Sequence, residues 1–138
     1  VADDSGLAVD VLGGAPGIFS ARWSGRHGDD AANLALLLAQ LADVPAAHRG
    51  AQFVCAAALV TPDGYEHVAT GALRGTLTTA PRGTGGFGYD PVLVPDSQPA
   101  HATAARLTCA ELTAQEKNAI SHRGQAFRAL APVIAARL

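Results

Sequence analysis

The apolar residues of this 138-residue chain recur with two different spacings. Leu34, Leu37, Leu38 and Leu41 stand at i, i+3, i+4 and i+7, one stripe along a helix. Asp29 and Asp30 open it, since carboxylates suit an N-cap and a first turn, and Pro45 stops it. A second stripe, Phe127, Leu130, Ile134 and Leu138, follows a helix start near Ser121. Pro132 lies inside it and is expected to kink or shorten that helix. Thr113 and Glu116 have capping-box spacing, so a short helix begins there.

Residues 52–60 form an apolar run that reads as a buried strand. Thr61-Pro62-Asp63-Gly64 is a turn, because proline presets one dihedral and glycine accepts a positive one. Residues 65–73 are then the returning strand of a hairpin. Residues 7–12 suit a strand or a short helix, and 13–17 a turn. Residues 91–95 are a short strand at most, and 96–107 a polar, alanine-rich surface loop. Helices and strands mix along a chain without repeat or linker. This predicts one α/β domain over residues 1–138, a mixed sheet flanked by helices.

Charge narrows the partners. A formal net charge of −2 leaves no basic surplus for a phosphate backbone, so nucleic-acid binding is not expected. No apolar run nears the roughly 20 residues that span a bilayer. The start has neither the charge nor the apolar stretch of a signal peptide. Cys55 and Cys109 form no metal spacing and read as reduced thiols of a cytoplasmic protein, Cys55 in the core. The chain has no methionine and opens inside an acidic motif. It reads as a fragment, a processed start or an incomplete gene model.

Three clusters carry candidate chemistry. Gly83-Thr84-Gly85-Gly86-Phe87-Gly88 matches G-x-G-x-x-G, but Tyr89-Asp90-Pro91 and a strand-like run follow where a dinucleotide fingerprint needs a helix. An aromatic ring carried on glycines is instead a stacking platform for a base, so Phe87 is expected outside the core. Asp3-Asp4-Ser5-Gly6 pairs two carboxylates, and adjacent acids that repel suggest a cation or a shared proton. Carboxylates suit Mg²⁺ with phosphate. The same Asp-Ser-Gly occurs in aspartic proteases, but no second copy exists here and the leucine stripe does not suit an all-β fold. Ser121-His122-Arg123-Gly124 sits at a helix start, where a cation is mildly unfavourable, which points to recognition. Arginine's fork of donors can address a carbonyl-bearing ring edge. His27, His48, His67 and His101 are scattered and read as surface residues.

These blocks, with Gly14-Ala15-Pro16-Gly17-Ile18-Phe19-Ser20-Ala21-Arg22, Ala110-Glu111-Leu112 and Glu116-Lys117-Asn118, stand in an order that resembles the inosine-triphosphate pyrophosphatase family from Val1 to the last helix. The resemblance implies that family's fold, Mg²⁺ as cofactor and a homodimer. It implies hydrolysis of inosine, deoxyinosine and xanthosine triphosphates between the α and β phosphates, giving a nucleoside monophosphate and pyrophosphate. Asp4 matches the metal-associated acid that activates water, with Asp3 a second metal or support group. Ser5 matches a substrate contact and Phe87 the residue that stacks on the base. Gly88, Tyr89 and Asp90 complete the substrate loop. Lys117, His122 and Arg123 match groups around the base and its 6-oxygen. Adenine presents an amino donor where hypoxanthine presents that oxygen, so donors at this position discriminate between them. The family's phosphate-binding Thr-x-Asn-x-x-Lys loop and a metal-holding glutamate would precede Val1. Without them these 138 residues are expected to hydrolyse triphosphate poorly, or to form a non-catalytic base-binding module. The loop at 96–107 is longer than usual for the family.

Overall fold

The computed structural model describes residues 1–102 and 105–138. Strands β1 (Ala2–Val9), β2 (Gly50–Val60), β3 (Glu66–Leu77) and β4 (Leu93–Pro95) form one sheet in the order β1-β2-β3-β4. Helices α1 (Asp30–Gln40), α2 (Ala114–Ile120) and α3 (His122–Arg137) accompany it. The α/β class holds, but the sheet is not mixed: every pairing among the described residues is antiparallel. The Thr61–Gly64 turn joins β2 to β3 as a hairpin, and β1 and β4 lie at the two edges.

Register decides what the sheet presents. Leu7 stands opposite Phe53, which stands opposite Leu73; Ser5, Cys55 and Gly71 form the next row. Because side chains alternate along a strand, these residues share one face. That face is buried by helices. Leu37 and Leu41 of the α1 stripe are fully buried with Leu7, Val9, Phe53, Leu73 and Leu77. Ala126 and Leu130 of α3 are buried against Cys55, Ala57, Leu59 and Ala69. Each fully buried leucine contributes about 1.5–3 kcal/mol relative to an exposed one. The opposite face, with Ala56, Val60, Val68 and Ala72, is exposed.

Several boundaries differ from expectation. Residues 7–12 divide between the two readings: β1 runs to Val9 and a single 3₁₀ turn, Asp10–Leu12, follows. Strand β3 continues past residue 73 to Leu77 because β4 gives its last three residues a partner. α1 closes at Leu41, ahead of Pro45. Asp29 caps it by accepting from the Ala32 amide at 3.1 Å. The capping box at Thr113 and Glu116 stands as expected, and α3 starts where expected, with Ser121 as its cap. Pro132 does not shorten α3, since Arg128 and Pro132 both face solvent and the unpaired carbonyl is open to water. Leu138 lies past the end of α3 and is exposed rather than part of the stripe. Among the described residues no helix is long and apolar enough to cross a membrane. Within the expected loop at 96–107, residues 103 and 104 lie outside the described residues.

Candidate active site

The start of β1, the glycine-rich loop at 83–88, α2 and the first turn of α3 converge on an open cleft of about 830 Å³. It is lined by Asp3, Asp4, Ser5, Phe87, Lys117, His122 and Arg123, residues from positions 3 to 123. A smaller cavity of about 140 Å³ adjoins it and shares Ser5, Phe87, Lys117 and His122.

The loop holds its aromatic outward. Phe87 is 76% exposed and outside both core clusters, as the glycines around it suggested. Gly86 has φ +69°, and a Cβ there would run into the Asp90 carboxylate, so the turn beneath Phe87 admits only glycine. Tyr89 and Asp90, expected to complete the substrate loop, line the smaller cavity rather than the larger cleft. Both are buried. The Tyr89 hydroxyl donates to the Ser20 carbonyl at 2.7 Å. Burial and the nearby Asp30 carboxylate raise the Tyr89 phenol to about 12. Asp90 Oδ2 accepts from the Phe87 amide at 3.0 Å and pairs with the Lys117 ammonium. These residues brace the loop. Lys117 Nζ also stands 4.7 Å from the centre of the Phe87 ring, a cation–π contact on one face of the platform.

The two acids have different partners. Asp3 and Asp4 both line the cleft, but adjacent residues of a strand point to opposite faces. Asp3 Oδ2 accepts from Arg123 Nε at 2.9 Å, which ties the start of β1 to α3. Among the described residues Asp4 accepts only from the amide of its neighbour Ser5, at 3.0 Å. Among the described residues no three His, Cys, Asp or Glu side chains cluster as a metal cage. Arg123 lays its guanidinium 4.9 Å from the Phe127 ring. Its two Nη groups have no protein acceptor among the described residues.

His122 is half-buried, with its ring centre 5.0 Å from that of Phe53. Its Nδ1 is buried and has no protein partner among the described residues. Burial, then the positive charge of Lys117, lowers its pKa to about 4, against an opposing pull from Asp90. At neutral pH the ring therefore offers one donor and one acceptor. Because the folded value lies below the unfolded one, the unfolded chain binds the proton more readily. His122 thus lowers stability as pH falls from about 6.5 to about 4, and has no such effect above that window. Urea unfolding of the parent should show this loss, and His122→Asn should flatten it. A His122 resonance titrating near 6.5 would contradict the assignment.

Some contributors were not evident beforehand. Phe127 was assigned to the helix stripe, yet it lines the cleft beside Arg123. Asn118 also lines it, although it entered only as part of a motif. Ser20 Oγ accepts from the Leu7 amide at 2.9 Å and donates to the Gly17 carbonyl, which locks the 3₁₀ turn Gly17–Arg22 against β1. Cys55 and Cys109 are both free and buried. Burial raises the Cys109 thiol to about 12, which makes it unreactive.

With this geometry in view, the sequence can be set beside known proteins. The model of the Ham1 family matches residues 1–133. The chain belongs to the Ham1 family. It is 69% identical over 134 residues to a dITP/XTP pyrophosphatase of Streptomyces coelicolor, covering 97% of this chain and 64% of that protein. A dITP/XTP pyrophosphatase of Streptomyces avermitilis is 70% identical, with the same coverage. The crystal structure of a dITP/XTP pyrophosphatase from Mycobacterium abscessus matches with TM-score 0.78 and 58% identity, covering 96% of this chain and 64% of that one. The Staphylococcus aureus Ham1 protein matches with TM-score 0.84 and 36% identity, covering 99% and 66%. The chain thus spans just under two thirds of the length of these Ham1 relatives.

Proposed function

We propose that this chain supplies the base-recognition side and the water-activating acid of a pyrophosphatase for inosine, deoxyinosine and xanthosine triphosphates. The observation that carries the reading is the cleft itself, with an exposed aromatic platform, Phe87, opposite the donors of His122 and Arg123 and with Asp4 on its rim. A purine stacks on Phe87. The free Nη groups of Arg123 donate to its 6-oxygen, which adenine lacks. Asp4 accepts the proton of a water that attacks the α-phosphorus. The α–β bridging bond breaks, and pyrophosphate leaves with its electron pair.

The donor set suits Mg²⁺, which keeps several waters and binds through one or two carboxylates plus substrate phosphates. Asp4 would hold it, since Asp3 is engaged by Arg123. The ion would neutralise charge on the phosphates. A cytoplasmic homodimer completes the proposal, and the exposed sheet face bearing Val60 and Val68 offers apolar area for a second copy.

One observation favours the alternative of a base-binding module without catalysis. Among the cleft's described cations, Lys117 is paired with Asp90 and Arg123 with Asp3, which leaves no uncommitted ammonium for a triphosphate. Two measurements on the purified chain separate these readings: equilibrium binding of inosine monophosphate, and pyrophosphate release from inosine triphosphate with Mg²⁺. Binding with release supports the enzyme. Binding without release supports the module, and no binding refutes both. Arg123→Ala should narrow the preference for inosine over adenosine nucleotides. An equal loss for both would assign Arg123 to phosphate or to folding.

Phe87→Ala should weaken inosine monophosphate binding by about 1–3 kcal/mol, the worth of one stacked aromatic. The melting temperature should stay near that of the parent, because the ring packs against no core cluster. Unchanged binding with a large fall in melting temperature would make Phe87 structural.

A further inference from the structure

The glycine-rich loop has no strand ladder to fix it, and its amides must find other partners. The Gly85 amide donates to the Ala110 carbonyl, the Phe87 amide to the Asp90 carboxylate and the Asp90 amide to the Phe87 carbonyl. All of these partners lie within or after the loop in the chain. The Gly88 amide is different: it donates to Asp30 Oδ2, at 2.9 Å, and both residues line the smaller cavity.

We propose that Asp30 is a positioning residue, whose carboxylate latches the loop to α1 and so fixes where the Phe87 ring stands in the cleft. This rests on the base-binding function proposed above. Two features support it. First, Asp30 is not needed as a cap, because Asp29 already accepts from the Ala32 amide. Second, Phe87 packs against no core cluster, so apart from the Lys117 ammonium on one face its position is set by its backbone. The amides of residues 87 and 88 are held by two different carboxylates, Asp90 from the C-terminal side and Asp30 from α1. Losing the second leaves the loop joined to the 17–40 segment mainly through the Tyr89 hydroxyl on Ser20, one residue further from the ring. A stacking platform that wanders binds its base less well, because ordering it on binding costs free energy. A carboxylate in the first turn also favours α1 through the helix dipole. Asparagine loses that effect but keeps an acceptor for Gly88, and this distinguishes the two roles.

The test compares the purified chain with Asp30→Ala and Asp30→Asn. Inosine monophosphate is titrated into each, and hydrogen exchange of the Gly88 amide is followed by NMR. Asp30→Ala should weaken nucleotide binding about three- to tenfold, in the range of one ordinary hydrogen bond. It should also speed Gly88 exchange at least roughly tenfold. Asp30→Asn should bring both close to the parent. Parent-like affinity in Asp30→Ala overturns the proposal, whatever the exchange shows. So does an Asp30→Asn variant as weak as Asp30→Ala. If the parent itself fails to bind inosine monophosphate, the base-binding function falls, and Gly88 exchange in the three proteins still decides whether Asp30 latches the loop.

Discussion

Replacing Gly71 with alanine is expected to destabilise the protein by about 1–3 kcal/mol and to abolish most nucleotide binding. Gly71 lies in β3 directly beneath the first turn of α3. A Cβ there would collide with the His122 carbonyl and would lie 2.7 Å from Gln125 Cβ and 2.9 Å from the Ala126 amide nitrogen. The obstacle is mostly backbone, so no side-chain rotation relieves it. The helix start must move away, and it carries His122 and Arg123 with it. The Arg123–Asp3 bond is then strained, and so are the bonds by which Gln125 grips the Ala72 backbone. Urea unfolding and titration with inosine monophosphate check both parts. Parent-like values in both would show that α3 does not rest on Gly71.

Replacing Arg49 with methionine should cost on the order of 3 kcal/mol or more. Arg49 is buried, 3% exposed, and has no carboxylate partner among the described residues. Its guanidinium instead donates to four backbone carbonyls. Nη1 reaches Leu41 at 2.7 Å and Val44 at 3.2 Å. Nε reaches Leu77 at 3.1 Å and Nη2 reaches Thr78 at 2.7 Å. One side chain thus satisfies the end of α1 and the end of β3 together. Methionine preserves much of the volume but takes those donors away: the Leu41 carbonyl keeps the Val44 amide, while the Val44, Leu77 and Thr78 carbonyls lose a partner in buried or part-buried surroundings. Against a total stability of about 5–15 kcal/mol, this is a large fraction. Arg49→Lys should recover only part, because an ammonium cannot span the two ends as a planar fork does. Denaturant midpoints of the three proteins settle the point, and a methionine variant as stable as the parent would contradict it.

Arg49 was invisible in the sequence for a definite reason. A lone arginine between a helix and a strand looks like any solvated charge, and its acceptors are carbonyls that every residue has. The burial of Tyr89 and Asp90 was hidden for a related reason. Within the motif they follow Phe87 and Gly88, but a tight turn sends nearby side chains in different directions, Phe87 outward and Tyr89 and Asp90 inward. The different surroundings of Asp3 and Asp4 were hidden in the same way, because a strand sends neighbours to opposite faces. The extra acid at the α1 start did leave a trace: two aspartates open one helix, and a single N-cap needs only one.

Local order followed from the sequence by itself. The leucine stripe, the capping box at Thr113 and Glu116, the helix start near Ser121, the Pro-Asp-Gly turn and the outward Phe87 each depend on residues within a few positions of one another. Short-range sterics and hydrogen bonds decide such features before the chain is packed. The tertiary structure decided what depends on contacts between distant residues. It made the sheet antiparallel throughout the described residues, set Asp3 against Arg123, laid α3 on Gly71, joined Asp30 to Gly88 and enclosed Arg49 among four carbonyls. Strand register, set by burial of one face of the sheet, brings these partners together, and a slip of one residue would separate them.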